Sequence, residues 1–224
     1  MGQPVAVQRK LKTQILGIEV GVTRLVVTSI ARGKNTGVAV LDPRTLADVI
    51  VDEPKPVPRA VRPTATLGKL AKSGHVLCAN ATLACVVVEG VARLYDRKSK
   101  AVVATLLGGP FDQGKFSKRY LWLQGEYGNG LFAYTLRGAA TKFPDPLNVS
   151  STTVTAIAID SSERWCAIGN SSGYVMCVER KSGAQRFGGR PTLSGHVTAL
   201  AFSAKANTLY VGSANGSLVR IALE

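Results

Sequence analysis

Apolar residues in this chain fall in short runs separated by glycine, serine and asparagine. Across 197–202, Val197, Ala199 and Ala201 share one parity while Thr198, Leu200 and Phe202 share the other. Both sets are largely apolar, the pattern of a β-strand covered on both faces. Residues 83–88 and 24–28 are rich in β-branched side chains, which suit a pleated, half-buried surface. Helical periodicity is weak, and its best stretch, 67–72, amounts to little more than one turn. The pattern predicts an all-β chain.

The strands recur. Shifted by 43 residues, Val-Thr-Ala-Ile-Ala-Ile at 154–159 lands on Val-Thr-Ala-Leu-Ala-Phe at 197–202. Gly169 then meets Gly212, and Ser172-Gly173 meets Asn215-Gly216, with no gap needed. Followed backwards, the dipeptides Glu89-Gly90, Asn129-Gly130, Ser172-Gly173 and Asn215-Gly216 lie 40, 43 and 43 residues apart, and Thr36-Gly37 is an earlier candidate. Each sits between apolar runs, where such a pair predicts a two-residue hairpin with positive φ at both positions. Near-constant spacing predicts a repeated unit of three or four short strands.

Particular residues resemble a known family. Glu89-Gly90-Val91-Ala92-Arg93-Leu94-Tyr95-Asp96 resembles the Asp-Gly-x-Ile-Arg-Leu-Trp-Asp signature of WD-repeat β-propellers, with Tyr95 at the tryptophan position and Asp96 as the closing aspartate. Gly195-His196 resembles the Gly-His that opens such a repeat, and Gly74-His75 is a fainter version. Lys98-Ser99-Lys100 and Lys181-Ser182-Gly183 resemble the turn after the closing dipeptide. Leu41-Asp42-Pro43 and Val178-Glu179-Arg180 are degenerate forms of that dipeptide region. No repeat keeps the tryptophan, so the family's His/Ser/Asp/Trp network is mostly missing.

The resemblance implies a β-propeller whose structural repeat positions here are Gly90, Tyr95, Asp96, Gly130, Gly173, His196 and Gly216. At about 43 residues per blade, a single propeller domain over 1–224 has about five recognisable blades, near 10–54, 64–108, 114–148, 150–190 and 191–224. WD-repeat propellers usually have seven. Three arrangements fit: a five-bladed ring, an open ring completed by strands from a partner, or a piece of a longer chain. In closed propellers the last outer strand often comes from the N-terminus; 5–8 and 15–20 are the two candidates.

Composition narrows the function. At 46% hydrophobic, the chain is too apolar to be wholly disordered. Lys+Arg 28 against Asp+Glu 14 leaves a formal net charge of +14. The excess is spread, with local density at Arg9-Lys10-Lys12, Arg59/Arg62, Arg93/Arg97/Lys98/Lys100 and Lys115/Lys118/Arg119. Arg97-Lys98 and Arg180-Lys181 fall on the loop after a third strand. Equivalent loops of a propeller emerge on one face, so these residues are expected to form a shared patch for a polyanion or another protein. Phe116 and Tyr120 interleave with Lys115, Lys118 and Arg119, an arrangement that can stack bases.

Catalytic and cofactor motifs are missing: there is no Gly-Lys-Ser/Thr phosphate loop, no G-x-S-x-G and no H-E-x-x-H. No metal, cofactor or small-molecule substrate is expected, and His196 is expected to be a structural hydrogen-bonder. Cys78, Cys85, Cys166 and Cys177 form no C-x-x-C pair and lie in apolar context, so they are expected to be reduced core thiols. Without a visible signal peptide or membrane span, the expected setting is intracellular, cytoplasmic or nuclear, with a mitochondrial presequence as the alternative. The reading is a non-catalytic scaffold mediating protein–protein interactions within a larger complex. The alternative is a basic RNA-associated subunit of a ribonucleoprotein or RNA-processing assembly.

Overall fold

A computed structural model describes residues 6–11, 14–21, 23–30, 36–48, 74–126, 131–141, 154–191 and 195–223. Their strands form five antiparallel sheets, four of four strands and one of three. β1 (Ala6–Lys10) is followed by β2 (Gln14–Val20), β3 (Leu25–Ile30) and β4 (Thr36–Leu41), and β2 to β4 make the three-stranded sheet. β5 (His75–Ala79), β6 (Leu83–Val88), β7 (Val91–Asp96) and β8 (Val102–Thr105) form the next. β9 (Phe111–Phe116), β10 (Tyr120–Gly125), β11 (Leu131–Thr135) and the two-residue β12 (Ala140–Thr141) form the third. β13 (Val154–Ile159), β14 (Trp165–Asn170), β15 (Val175–Glu179) and β16 (Gln185–Gly189) form the fourth. The last contains β17 (Val197–Phe202), β18 (Thr208–Ser213) and β19 (Ser217–Ala222), with β1 added at its outer edge.

β1 pairs antiparallel with β19, from Ala6 opposite Ile221 to Lys10 opposite Ser217. Of the two candidate segments, the first therefore supplies the outer strand. The segment 15–20 is the inner strand β2 instead, because Ile15 is fully buried there against the last sheet. Arg9 fixes the added strand from outside the ladder: it donates to the Leu46 carbonyl at 2.7 Å and pairs with Asp48 at 2.7 Å.

The chain divides into two compact units, Met1–Asp52 with Thr152–Glu224, and Glu53–Ser151. In the first, β13 has the clean alternation of a strand packed on one face, with Val154, Ala156 and Ala158 buried. Its neighbour β14 carries Gly169 where Val197 of β17 packs, and β18 carries Gly212 where Ile15 of β2 packs. The 43-residue repeat thus places a glycine at both points in this unit where the first strand of one sheet leans on the second strand of another. Thr155 and Thr198, also one repeat apart, each donate to the carbonyl of that glycine at 3.4 Å. In the second unit, Cys85, Leu94, Phe111, Leu121, Leu123 and Tyr134 form the core, with the Phe111 ring edge-on to Phe132 and Tyr134.

The hairpin turns are of two kinds. Glu89 and Gly90 both have positive φ, 52° and 77°, as a two-residue turn requires. The other two described dipeptides do not form that turn. Gly173 and Gly216 have positive φ (80° and 84°), but Ser172 and Asn215 do not. Each belongs to a three-residue loop: Gly173 N–H donates to Asn170 O and Gly216 N–H to Ser213 O, a turn closed by a left-handed glycine. Asn170 and Ser213 explain the longer loop, since their side chains accept the amides of Ser172 and Ser217 respectively. Thr36-Gly37 is not a turn at all. Gly37 lies within β4, paired with Ser29. Asn129-Gly130 and the 67–72 segment lie outside the described residues.

Valine resists positive φ, so Gly173→Val and Gly216→Val are each expected to cost about 2 kcal/mol of stability. Urea denaturation measures this. A midpoint unchanged in both variants would contradict the turn geometry.

Candidate functional site

The cationic candidates lie mostly on turns joining the first to the second strand of a sheet, or the third to the fourth. In an antiparallel meander both turns emerge at one end of the sheet. The turn after the third strand is built three times on one plan. Lys100 N–H donates to Asp96 O, Gly183 N–H to Glu179 O and Leu46 N–H to Asp42 O. The position before the final alanine is left-handed in all three, at Lys100 (φ 62°), Gly183 (72°) and Leu46 (58°).

A carboxylate organises each of these turns from within. Asp96 Oδ1 accepts the Ser99 amide at 2.7 Å, the Ser99 hydroxyl and the Lys98 amide, which holds its pKa below the usual value. Asp42 Oδ1 accepts the Thr45 and Arg44 amides at 2.8 Å each, with the same effect. Glu179 accepts the Ser182 hydroxyl and Arg164 Nε, and is likewise lowered. At the first-to-second turn of the fourth sheet, Asp160 is buried and accepts the amides of Trp165 and Ser162. Asp42, Asp96 and Asp160 are therefore bound into their own turn backbone, Glu179 is held by the Ser182 and Arg164 side chains, and the exposed Asp48 pairs with Arg9.

The residues singled out from the sequence separate by role. Lys98, Lys100, Lys115, Lys118, Arg119 and Lys181 are exposed. Arg119 lies over the Tyr120 ring at 5.8 Å. Arg97 and Arg180 stand on matching turns but are half-buried and partly committed. The Arg97 guanidinium donates to Asn80 O, and Arg180 Nε donates to Glu163 O at 3.0 Å. Their amides also donate, to Thr82 O at 2.8 Å and Arg164 O at 2.7 Å. Each arginine thus ties the two turns of its own sheet together. Arg93 stands within β7 opposite Val86 and Thr105, away from the turns. Arg97 and Lys98 belong to one compact unit and Arg180 and Lys181 to the other.

Among the structural positions, Tyr95 is buried beside Ala84 and Val86, and Asp96 organises the turn described above. His196 is exposed, and the contact it makes is through its carbonyl, which accepts the Ala214 amide at 3.0 Å. Gly130 lies outside the described residues. The four cysteines form no disulfide; Cys85, Cys166 and Cys177 are buried and Cys78 is half-buried. Burial pushes the Cys85 and Cys177 thiols up to about 12, which leaves them poor nucleophiles. Among the described residues no three His, Cys, Asp or Glu side chains converge as metal ligands, and no helix is long and apolar enough to cross a membrane.

Sequence reasoning missed three cations in the first unit, Arg44, Lys205 and Arg220, which line one cleft between its sheets. They are far apart in sequence, and no local motif marks them. It also missed Arg186, whose guanidinium lies 4.8 Å from the Trp165 ring and donates to Ala206 O at 3.0 Å and Leu223 O at 2.8 Å.

No family model matches the chain, and no curated protein matches it. Solved structures do. The β-propeller domain of Cps50 (Swd1) from Myceliophteria thermophila superposes with a TM-score of 0.55 at 11% identity, covering 96% of this chain and 73% of that one. The computationally designed Ika4 protein superposes with a TM-score of 0.55 at 13% identity, covering 67% of this chain and 92% of that one. At such identities the likeness shows the fold alone, an all-β propeller.

Proposed function

We propose that this chain is a non-catalytic interaction scaffold, one propeller domain over residues 1–224 that serves as a subunit of a larger protein assembly. The observation that carries this reading is the division of charge at the turns. Lys98, Lys100, Lys118 and Arg119 in one unit, and Arg44, Lys181 and Lys205 in the other, are exposed. Asp42, Asp96 and Asp160 are turned into the turn backbone, and Glu179 is held by the Ser182 and Arg164 side chains. Repeated turns rich in exposed cations suit recognition rather than turnover. Four cysteines that form no disulfide support a reducing, intracellular setting.

The same charge division favours a second reading, in which the assembly contains RNA and these turns contact its phosphates. Affinity purification with and without ribonuclease separates the two. Partners that survive ribonuclease support the protein scaffold, and partners lost with the RNA support the second reading. Recovery of no partner in either condition would overturn both. For direct binding, reversing Lys98, Lys100, Lys118, Arg119 and Lys181 to Glu is expected to abolish retention on RNA near physiological salt without lowering the melting temperature. Each single neutralisation should reduce the salt slope by about one. Arg97 and Arg180 are left intact because they hold the turns. Undiminished RNA retention by the fivefold variant would remove these turns from the interface.

A further inference from the structure

The cleft lined by Arg44, Lys205 and Arg220 goes beyond the scaffold reading. It lies wholly within the first unit and has a volume of about 320 Å3, at the lower limit of small-molecule sites. Arg44 belongs to the turn after β4, Lys205 to the turn after β17, and Arg220 to β19. No carboxylate is among the residues lining it. Arg220 Nε is buried and has no hydrogen-bond acceptor, while the rest of its guanidinium faces the Tyr210 hydroxyl, so the group keeps donor capacity for an anion in the cleft. Tyr210 forms part of the wall; its hydroxyl is held by a 2.7 Å hydrogen bond to Pro43 O. Asp42, the nearby acid, is committed to the Thr45 and Arg44 amides.

We propose that this cleft binds a phosphate monoester, with Arg220 and the exposed Arg44 and Lys205 meeting the phosphate dianion. Three cations without a lining carboxylate suit a dianion better than a single carboxylate. The volume exceeds what a bare phosphate fills, and Val20, Pro43 and the Tyr210 ring offer an apolar surface for the esterified group.

The test is calorimetric titration of the full chain with adenosine 5′-monophosphate, alongside inorganic phosphate, O-phosphotyrosine and adenosine. Both esters are expected to bind, inorganic phosphate more weakly, and adenosine not at all. A tighter nucleotide names a nucleotide source, and tighter phosphotyrosine names a phosphorylated side chain. Arg44→Gln with Lys205→Gln, both at exposed positions, and separately Arg220→Met, should each weaken the better ester by about tenfold or more. Absence of binding by both esters, adenosine binding as well as its monophosphate, or full affinity in the Arg44/Lys205 double variant would each overturn the proposal. The double variant keeps the test valid if Arg220→Met unfolds. The fivefold turn variant still contains all three cleft cations, so it should retain ester binding, and failure of the RNA reading is distinguishable from failure of this one.

Discussion

Deleting residues 1–11 lowers the melting temperature by about 10 °C and makes the protein prone to aggregation, on the expectation that a loss of a few kcal/mol shifts a chain of this size by that much. The outer edge of β19 carries β1 along its length, from Ala6 opposite Ile221 to Lys10 opposite Ser217. Past the strand, the Leu11 amide still donates to Gly216 O at 2.7 Å. The Arg9 contacts to Leu46 O and Asp48 go with the strand, so the turn after β4 also loses a partner. What remains is an unpaired strand edge, a template for another chain. Calorimetry measures the shift, and light scattering the aggregation. Adding a synthetic peptide of residues 1–12 should restore part of the lost stability, because the strand joins by backbone pairing and not through a covalent turn. A melting temperature within about 2 °C of the full chain would show that β1 contributes nothing to stability.

That strand illustrates what was legible in the sequence. Inner strands announce themselves by burial: β13 alternates buried and half-buried positions, and β18 is buried throughout. Their apolar content is what the 43-residue shift detects. Outer strands carry little of it. β8 is exposed at three of its four residues and β16 at two of five, so no periodicity marks them. β1 is further hidden because its partner lies at the opposite end of the chain, and only the resemblance to closed propellers pointed to an N-terminal segment. The turn glycines were found, but the loop type was not. Asn170 and Ser213 lengthen two hairpins through side-chain hydrogen bonds that the glycine spacing does not encode.

The candidate site was legible in the same uneven way. Lys98 and Lys181 fall on matching turns because the repeat fixes them. The commitment of Arg97 and Arg180 to carbonyls on the facing turn needed the three-dimensional pairing of strands, since Asn80 and Glu163 are each 17 residues away. The Arg44, Lys205 and Arg220 cleft is built from residues that become neighbours only when β2, β4 and β17 to β19 assemble.

The second large effect concerns the glycines between inner strands. Gly169→Val and Gly212→Val are each expected to cost about 3 kcal/mol, the upper range for overpacking a filled interior. A Cβ on Gly212 would sit 2.6 Å from Ile15 Cγ2 and 3.0 Å from Ile15 Cβ. On Gly169 it would sit 2.4 Å from Val197 Cγ1 and 2.6 Å from Val197 Cβ. Close approach to a Cβ leaves no rotamer by which the neighbour can yield, so one sheet must move away from the next. Neither glycine has the positive φ that would explain the choice on backbone grounds; the constraint is the facing side chain. A double-mutant cycle isolates it. Ile15→Ala alone opens a cavity at a fully buried position and should cost about 3 kcal/mol. Combined with Gly212→Ala it should cost less than the sum of the two single changes by about 1 kcal/mol or more, because the added methyl occupies vacated space. Strict additivity in chemical denaturation would mean that Ile15 and Gly212 do not share an interface, and the packing of β2 on β18 would then be wrong.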